Sequence, residues 1–253
     1  MRRALIAAAI FGATSECANA QPQSSWTVSS GIEQFSLRDI VRSGPPVDAS
    51  PISWEGSGPV ILVAREWTTI SRRHAADVTF ASARDFEYRS PFASFATDPS
   101  DAARRFEGRY EYDRRVLSRH LAAWIEATVG VRGSGQFLSL THHVDPAWDI
   151  GLSTRSAAAA IVAAATFARG RRVSGDVRYG NALVFGWLHQ NGDPAGWSGG
   201  GWTTDLDAGV NVRTSRMLSV TTRVVKRDDG FLATHREFST STPRLTVGIR
   251  YAK

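Results

Sequence analysis

The chain has 253 residues, 42% of them hydrophobic, with 30 Lys and Arg against 24 Asp and Glu for a formal charge of +6. That length suits one domain. No stretch reaches the ~18 consecutive apolar residues that a membrane-spanning helix needs, which excludes a helical membrane protein. The single cysteine, Cys17, excludes a disulfide framework.

The first residues bear on the compartment. Met1-Arg2-Arg3 is a short basic start, Ala4 to Ala13 is apolar with one glycine, and Ala18-Asn19-Ala20 precedes Gln21. Basic, apolar and small-residue parts in that order predict a secretory signal over 1–20, cleaved after Ala20. Cys17 would leave with it, and Glu16 in front of that cysteine argues against a lipoprotein. The mature domain is then 21–253, without thiols, cofactors or nucleic-acid partners expected. For an exported chain, lipid head groups are the better match to the positive charge.

Alternation of apolar and polar residues predicts ten strands, at 26–37, 58–69, 74–88, 105–113, 120–131, 156–168, 173–187, 202–213, 217–226 and 244–251. The pattern is clearest in four of them. Phe106, Tyr110 and Tyr112 alternate with Arg105, Glu107, Arg109 and Glu111. Val177, Tyr179, Leu183, Phe185 and Trp187 oppose Asp176, Arg178, Gly180 and Ala182. Trp202, Leu206, Val210 and Val212 oppose Thr203, Asp205, Asp207 and Arg213. Leu245, Val247, Ile249 and Tyr251 oppose Arg244, Thr246, Gly248 and Arg250. The alanine-rich run 157–165 reads as strand or helix, with strand preferred. Short connections at 70–73, 114–119, 169–172 and 214–216 alternate strictly with long ones at 38–57, 89–104, 132–155, 188–201 and 227–243. An even-stranded membrane barrel has this pattern, with tight turns at one end and long loops at the other.

With the Ala18-Asn19-Ala20 signal end, the alternating strands and the final Leu245-x-Val247-x-Ile249-x-Tyr251, the chain resembles the small bacterial outer-membrane β-barrels as a general class. The resemblance implies an antiparallel up-and-down transmembrane barrel of about ten strands. It implies an address in the outer membrane, contact with membrane lipid and lipopolysaccharide, and insertion by the barrel-assembly machinery, which recognises a terminal aromatic strand. This chain departs from the pattern by adding Ala252 and Lys253 after the aromatic. Strand counts of eight or twelve stay open, as does the oligomeric state.

Within such a barrel, Trp26, Trp67, Tyr112, Phe167 and Tyr251 are expected at the turn side, and Phe86, Tyr88, Phe106, Trp187 and Trp202 at the loop side, as two aromatic belts. Arginines recur at the short turns, as Arg72-Arg73, Arg114-Arg115, Arg171-Arg172 and Arg213 with Arg216, where anionic lipid heads lie. A lumen charge cluster of Arg105, Glu107, Arg109, Glu111, Glu126, Asp176, Arg178, Asp205, Asp207, Arg213, Arg223 and Arg250 would pair across a narrow interior and largely fill it. The expected function is therefore non-catalytic, a narrow or plugged channel or a barrel acting through its surface loops.

The alternative is an outer-membrane hydrolase of the omptin or lipid A deacylase kind, using His142, His143 and Asp145 or Asp205 and Asp207. No motif of either enzyme class matches, His189 and His235 also lie near long loops, and no catalytic residue is assigned. A third possibility is a soluble, lipocalin-like β-protein, in which something other than lipid covers Leu206, Val210, Val247 and Ile249.

Overall fold

A computed structural model describes residues 23–41, 51–69, 71–89, 94–95, 101–120, 124–145, 148–169, 172–191, 196–233 and 236–253. The expected signal peptide, 1–20, lies outside the described residues, as does His235.

Among the described residues twelve strands form a single sheet. They are β1 (Gln23–Val41), β2 (Pro51–Thr68), β3 (Arg72–Arg89), β4 (Ser94–Phe95), β5 (Ala102–His120), β6 (Trp124–Asp145), β7 (Trp148–Arg169), β8 (Val173–Gln190), β9 (Trp197–Arg213), β10 (Leu218–Ala233), β11 (Arg236–Ser241) and β12 (Arg244–Ala252). Ten staves make a closed antiparallel barrel. β11 and β12 are two halves of the last stave, each laid between β10 and β1. The break falls at Thr242-Pro243, where proline has no N–H for the ladder. Even there Pro243 accepts from Gln34 N–H at 2.8 Å and Thr242 N–H donates to Arg227 at 2.8 Å, so the seam stays closed. β4 adds two pairs to the outer end of β3.

The run 157–165 is strand, inside β7. The sequence understates strand length more than strand number. Most of 132–155, expected as a long loop, is a hairpin of β6 and β7, with ladder pairs out to Asp145 and Trp148. Most of 227–243 likewise belongs to β10 and β11. Residues 114–119, expected as a turn, lie within β5. Alternation signals a strand by the contrast between its two faces, and that contrast fades where neither face meets lipid.

Register fixes the dimensions. A path across the ladders leaves β1 at Ser36 and passes through Ser241, Asp228, Thr204, Asn181, Ile161, Val131, Tyr112, His74 and Trp67. It returns to β1 at Ser24, a stagger of twelve residues (36 − 24). Ten staves with that stagger tilt by roughly 40° and close at a backbone radius of about 10 Å, given ordinary strand rise and spacing. Side chains from opposite walls meet across such a lumen.

The exposed apolar residues locate a belt. It runs from Trp202 to Val212 on β9, and takes in Trp26, Val28 and Ile32 on β1, Val78 and Phe80 on β3, and Leu245 and Ile249 on β12. Allowing for tilt, the belt is about 25 Å tall, the height of the apolar band of an outer-membrane barrel. Tyr112, Phe167, Trp26, Trp67 and Tyr251 lie at its turn edge, and Phe106, Trp187 and Trp202 at its loop edge. Tyr88 is a correction. The register of β2 against β3 shifts between Glu55 and Ser57, and beyond that shift Tyr88 faces inward and is buried.

Above the belt the walls continue for about 20 Å, at the rise and tilt derived above. Here the two faces exchange character. Ser36, Arg38, Glu55, Ser57, Arg104, Ser139 and Arg155 face outward. Phe35, Leu37, Trp54, Leu138, Leu140, Leu152, Leu188, Phe231 and Phe238 form an apolar core inside. Within the belt the barrel is apolar outside and charged inside, and beyond it the arrangement is that of a water-soluble β-barrel.

Candidate functional site in the filled lumen and its outer mouth

β5 is the axis of the lumen network. Its inward face reads Arg105, Glu107, Arg109, Glu111 and Asp113, so three carboxylates share one strand and its two glutamates stand four residues apart. Glu107, fully buried, takes Arg105 at 2.6 Å and Arg244 at 3.3 Å, and Arg227 as well. Arg105 reaches on to Glu33 across the barrel, and Arg227 grips Asp229 at 2.8 and 2.9 Å. Glu111 is the second hub. It receives Arg132 at 2.7 Å, Arg73 at 2.7 Å, and Arg178.

The remaining charges tie these hubs to the wall. Arg132 also bonds Asp205, Arg223 joins Asp207 at 2.7 Å to Asp176 at 2.8 Å, and Arg109 holds Asp77 at 2.9 Å. Arg178 meets Asp176 at 3.0 Å, and Arg73 meets Glu66 at 3.1 Å. The cost of taking these ions out of water is offset only because carboxylates are shared between several guanidinium groups. Alanines on β7 make room, since Ala160 lies beside Arg132 and Ala164 beside Arg178.

Of the lumen residues expected from sequence, Arg105, Glu107, Arg109, Glu111, Asp176, Arg178, Asp205, Asp207 and Arg223 meet in this network. Arg250 sits nearer the turn end, on Ser25 at 3.0 Å and Glu66 at 3.3 Å, and Glu126 pairs there with Arg115 at 2.7 Å. Arg213 stands apart, donating to the Arg216 carbonyl in its own turn at 2.8 Å. Sequence reasoning missed Arg132 and Arg227, both read as the start of loops, and Arg73, read as the end of a turn. Glu33, Asp77 and Arg244 lie at inward positions of expected strands, where parity alone marks them.

Two cavities lie at the turn end of the network, of about 80 and 160 Å³, with Arg73, Arg178 and Arg223 on both. Toward the outer end the ion pairs are roofed by the apolar core. At its upper edge sit two polar pairs. His142 Nδ1 lies 2.7 Å from Asp101, with both side chains buried, and its ring stacks on Tyr88 at 5.0 Å between centroids. Arg236 forks onto Asp39, bonds Gln190 at 3.0 Å and covers the Trp197 ring at 4.5 Å.

The hydrolase candidates are therefore separated. His142 pairs with Asp101, while Asp205 and Asp207 are bound deep in the arginine network. His143 and Asp145 lie on β6, and His189 is on the outer wall. Among the described residues no three His, Cys, Asp or Glu side chains gather to hold a metal ion.

Closed register, belt and filled lumen define a ten-stave antiparallel barrel of the outer-membrane type. No protein-family model and no curated protein matches the sequence. Among solved structures the chain is similar to the outer membrane protease OmpT of Escherichia coli, at 10% identity over 94% of this chain and 100% of that one, with a TM-score of 0.67. The translocator domain of the autotransporter NalP from Neisseria meningitidis aligns at 12% identity over 98% and 95% of the two chains, with a TM-score of 0.41. The attachment invasion locus protein Ail of Yersinia pestis aligns at 12% over 92% and 100%, with a TM-score of 0.32. Only the first superimposes well enough to carry an argument, and at 10% identity that argument concerns fold.

Proposed function

We propose that this is an integral outer-membrane barrel that passes nothing through its lumen and acts from its raised outer end. One observation carries the reading: the crossing of apolar and charged layers at the edge of the belt. An ion pathway would have to break shared buried ion pairs and then enter an apolar plug, each step costly without water. The exposed Leu206, Val210, Val247 and Ile249 favour lipid over a soluble, lipocalin-like state, since a soluble protein seldom leaves so continuous an apolar face bare. Export through cleavage after Ala20 and insertion through the final strand belong to the same reading.

The test is fractionation followed by planar-bilayer recording. Recovery with outer membranes, heat-dependent gel migration and no unitary conductance steps are expected. Open-channel steps from the unaltered protein would overturn the sealed lumen, and solubility in plain buffer would overturn the membrane placement.

A second reading rests on the contact between His142 and Asp101. The carboxylate holds a proton on Nδ1, which leaves Nε2 as the basic nitrogen, the orientation that a general base for water attack requires. Nε2 has no hydrogen-bond partner among the described residues. The complete burial of both side chains weighs for the first reading. If the pair is catalytic, His142→Asn and Asp101→Asn should each lower peptide or acyl-ester hydrolysis by about 10²–10⁴-fold, the usual worth of a positioned base. Hydrolysis unchanged in both variants would remove this reading.

A further inference from the structure

On the outer wall of β5 to β9, just above the belt, two rows of side chains lie one above the other. The upper row runs Arg104, Ser139, Ser153, His189 across four strands. The lower row runs Phe137, Arg155, Trp187, Ser198. Ser153, Arg155, Trp187, His189, Trp197 and Ser198 enclose part of an outward-facing cavity of about 560 Å³. Arg155 lies over the Phe137 ring at 5.9 Å, and Trp187 meets Phe185 edge-on at 4.7 Å. Among the described residues neither Arg104 nor Arg155 has a carboxylate partner, unlike the lumen arginines.

Directly below, inside the belt, the wall is smooth. Gly108, Gly135 and Ala157 are cross-strand neighbours, and Gly133 and Ala159 follow one row lower. Phe106 and Tyr110 rise on one side, and Phe185 and Leu183 on the other. A Cβ on Gly108 or Gly133 would meet nothing within 4 Å, so packing within this chain does not call for glycine there. The furrow therefore starts beneath two cations that have no carboxylate partner among the described residues and runs two rows into the apolar band, as far as Val131 and Ile161.

We propose that this wall binds a phosphorylated, acylated lipid of the outer leaflet, with its phosphate on Arg155 and Arg104 and an acyl chain in the furrow. The chemistry matches at each height. Two guanidinium groups offer forked donors to phosphate oxygens. The serines and His189 supply further polar contacts to the head group, and the aromatic rings sit at the boundary where amphipathic rings settle. Below them, a straight chain fills a groove that branched side chains would block. A cavity holding cations alone would suit any anion; its continuity with the furrow selects a lipid.

The inference rests on the outer-membrane placement proposed above, and the experiment separates the two. The full-length protein in mild detergent is titrated with a bis-phosphorylated hexa-acyl disaccharide lipid and with its dephosphorylated form, and bound lipid is counted by native mass spectrometry. Wild type should hold the phosphorylated lipid and bind the dephosphorylated one much more weakly. The double variant R104Q/R155Q should bind roughly thirtyfold more weakly, from about fivefold for each cation lost near a lipid head group.

Ala159→Phe, which fills the furrow and leaves the cations, should also weaken binding. Arg65→Gln, at the opposite edge of the belt, should not. Equal binding of the two lipids, or unchanged binding in R104Q/R155Q, would overturn the proposal. Full affinity in Ala159→Phe, or displacement by inorganic phosphate at the lipid's own concentration, would remove lipid as the occupant. In each of these outcomes a heat-dependent gel shift shows that the barrel itself is intact, whereas a protein soluble without detergent would refute the placement instead.

Discussion

Glu107 has no exposed surface and is shared by Arg105, Arg227 and Arg244. Replacing it with glutamine would take a shared charge from three buried guanidinium groups, of which Arg105 keeps Glu33 and Arg227 keeps Asp229, while Arg244 is left with Glu33 at 4.0 Å. Breaking a buried ion pair from one side costs about 3–5 kcal/mol. Glu107→Gln should therefore lower the temperature at which the compact band is lost on unboiled gels, and Arg213→Ala, a turn residue bonded to a backbone carbonyl, should change stability by less than about 0.5 kcal/mol. Equal effects of the two substitutions would mean that the network does not hold the barrel. The same contrast shows what a residue pattern conveys. Inward parity placed Arg213 and Arg105 together, but one lies beyond the end of the lumen and the other at its centre.

At the scale of the element, two kinds of glycine occur in similar strands. A Cβ on Gly31 of β1 would be driven onto the Leu245 carbonyl oxygen of β12, and one on Gly201 of β9 onto the Gly230 carbonyl of β10. Those staves approach closely because a barrel of this stagger must coil sharply where its strands bend. Gly201→Val should then impair folding, reducing the heat-modifiable fraction severalfold, while Gly133→Ala should leave that fraction unchanged. A fully folded Gly201→Val barrel would show that the close approach can relax. Nothing in the sequence distinguishes these glycines, because the difference lies in the neighbouring strand.

The crossing of layers belongs to the whole molecule. Strands of up to 22 residues are about twice what a membrane requires at this tilt. The surplus lies on the loop side and has an apolar core of its own. Atomic force imaging of the protein in a supported bilayer should find a protrusion of about 20 Å on one face, from the strand rise and tilt, and almost none on the other. A flush profile on both faces would contradict the belt as located here. This raised end carries His142 and Asp101, the Asp39 and Arg236 pair, and the lipid-facing cations, so both functional readings and the proposed lipid site converge on it.

From the sequence alone followed about ten strands, with eight or twelve left open, their antiparallel order and the inward parity of Asp176 to Ala182 and Thr203 to Asp207. These follow from a local rule: a strand with lipid on one side must alternate its side chains with period two. It also marked Arg105, Glu107, Arg109 and Glu111 as inward, because apolar neighbours on either side faced out. Only the tertiary structure decided how far each strand runs, since above the belt both faces are mixed and the period loses contrast. It also decided which charges pair, and it brought Asp101 to His142 and Asp39 to Arg236. Those contacts join residues 41 and 197 positions apart along the chain. Their meeting depends on barrel closure and a twelve-residue stagger, which are properties of all ten staves together.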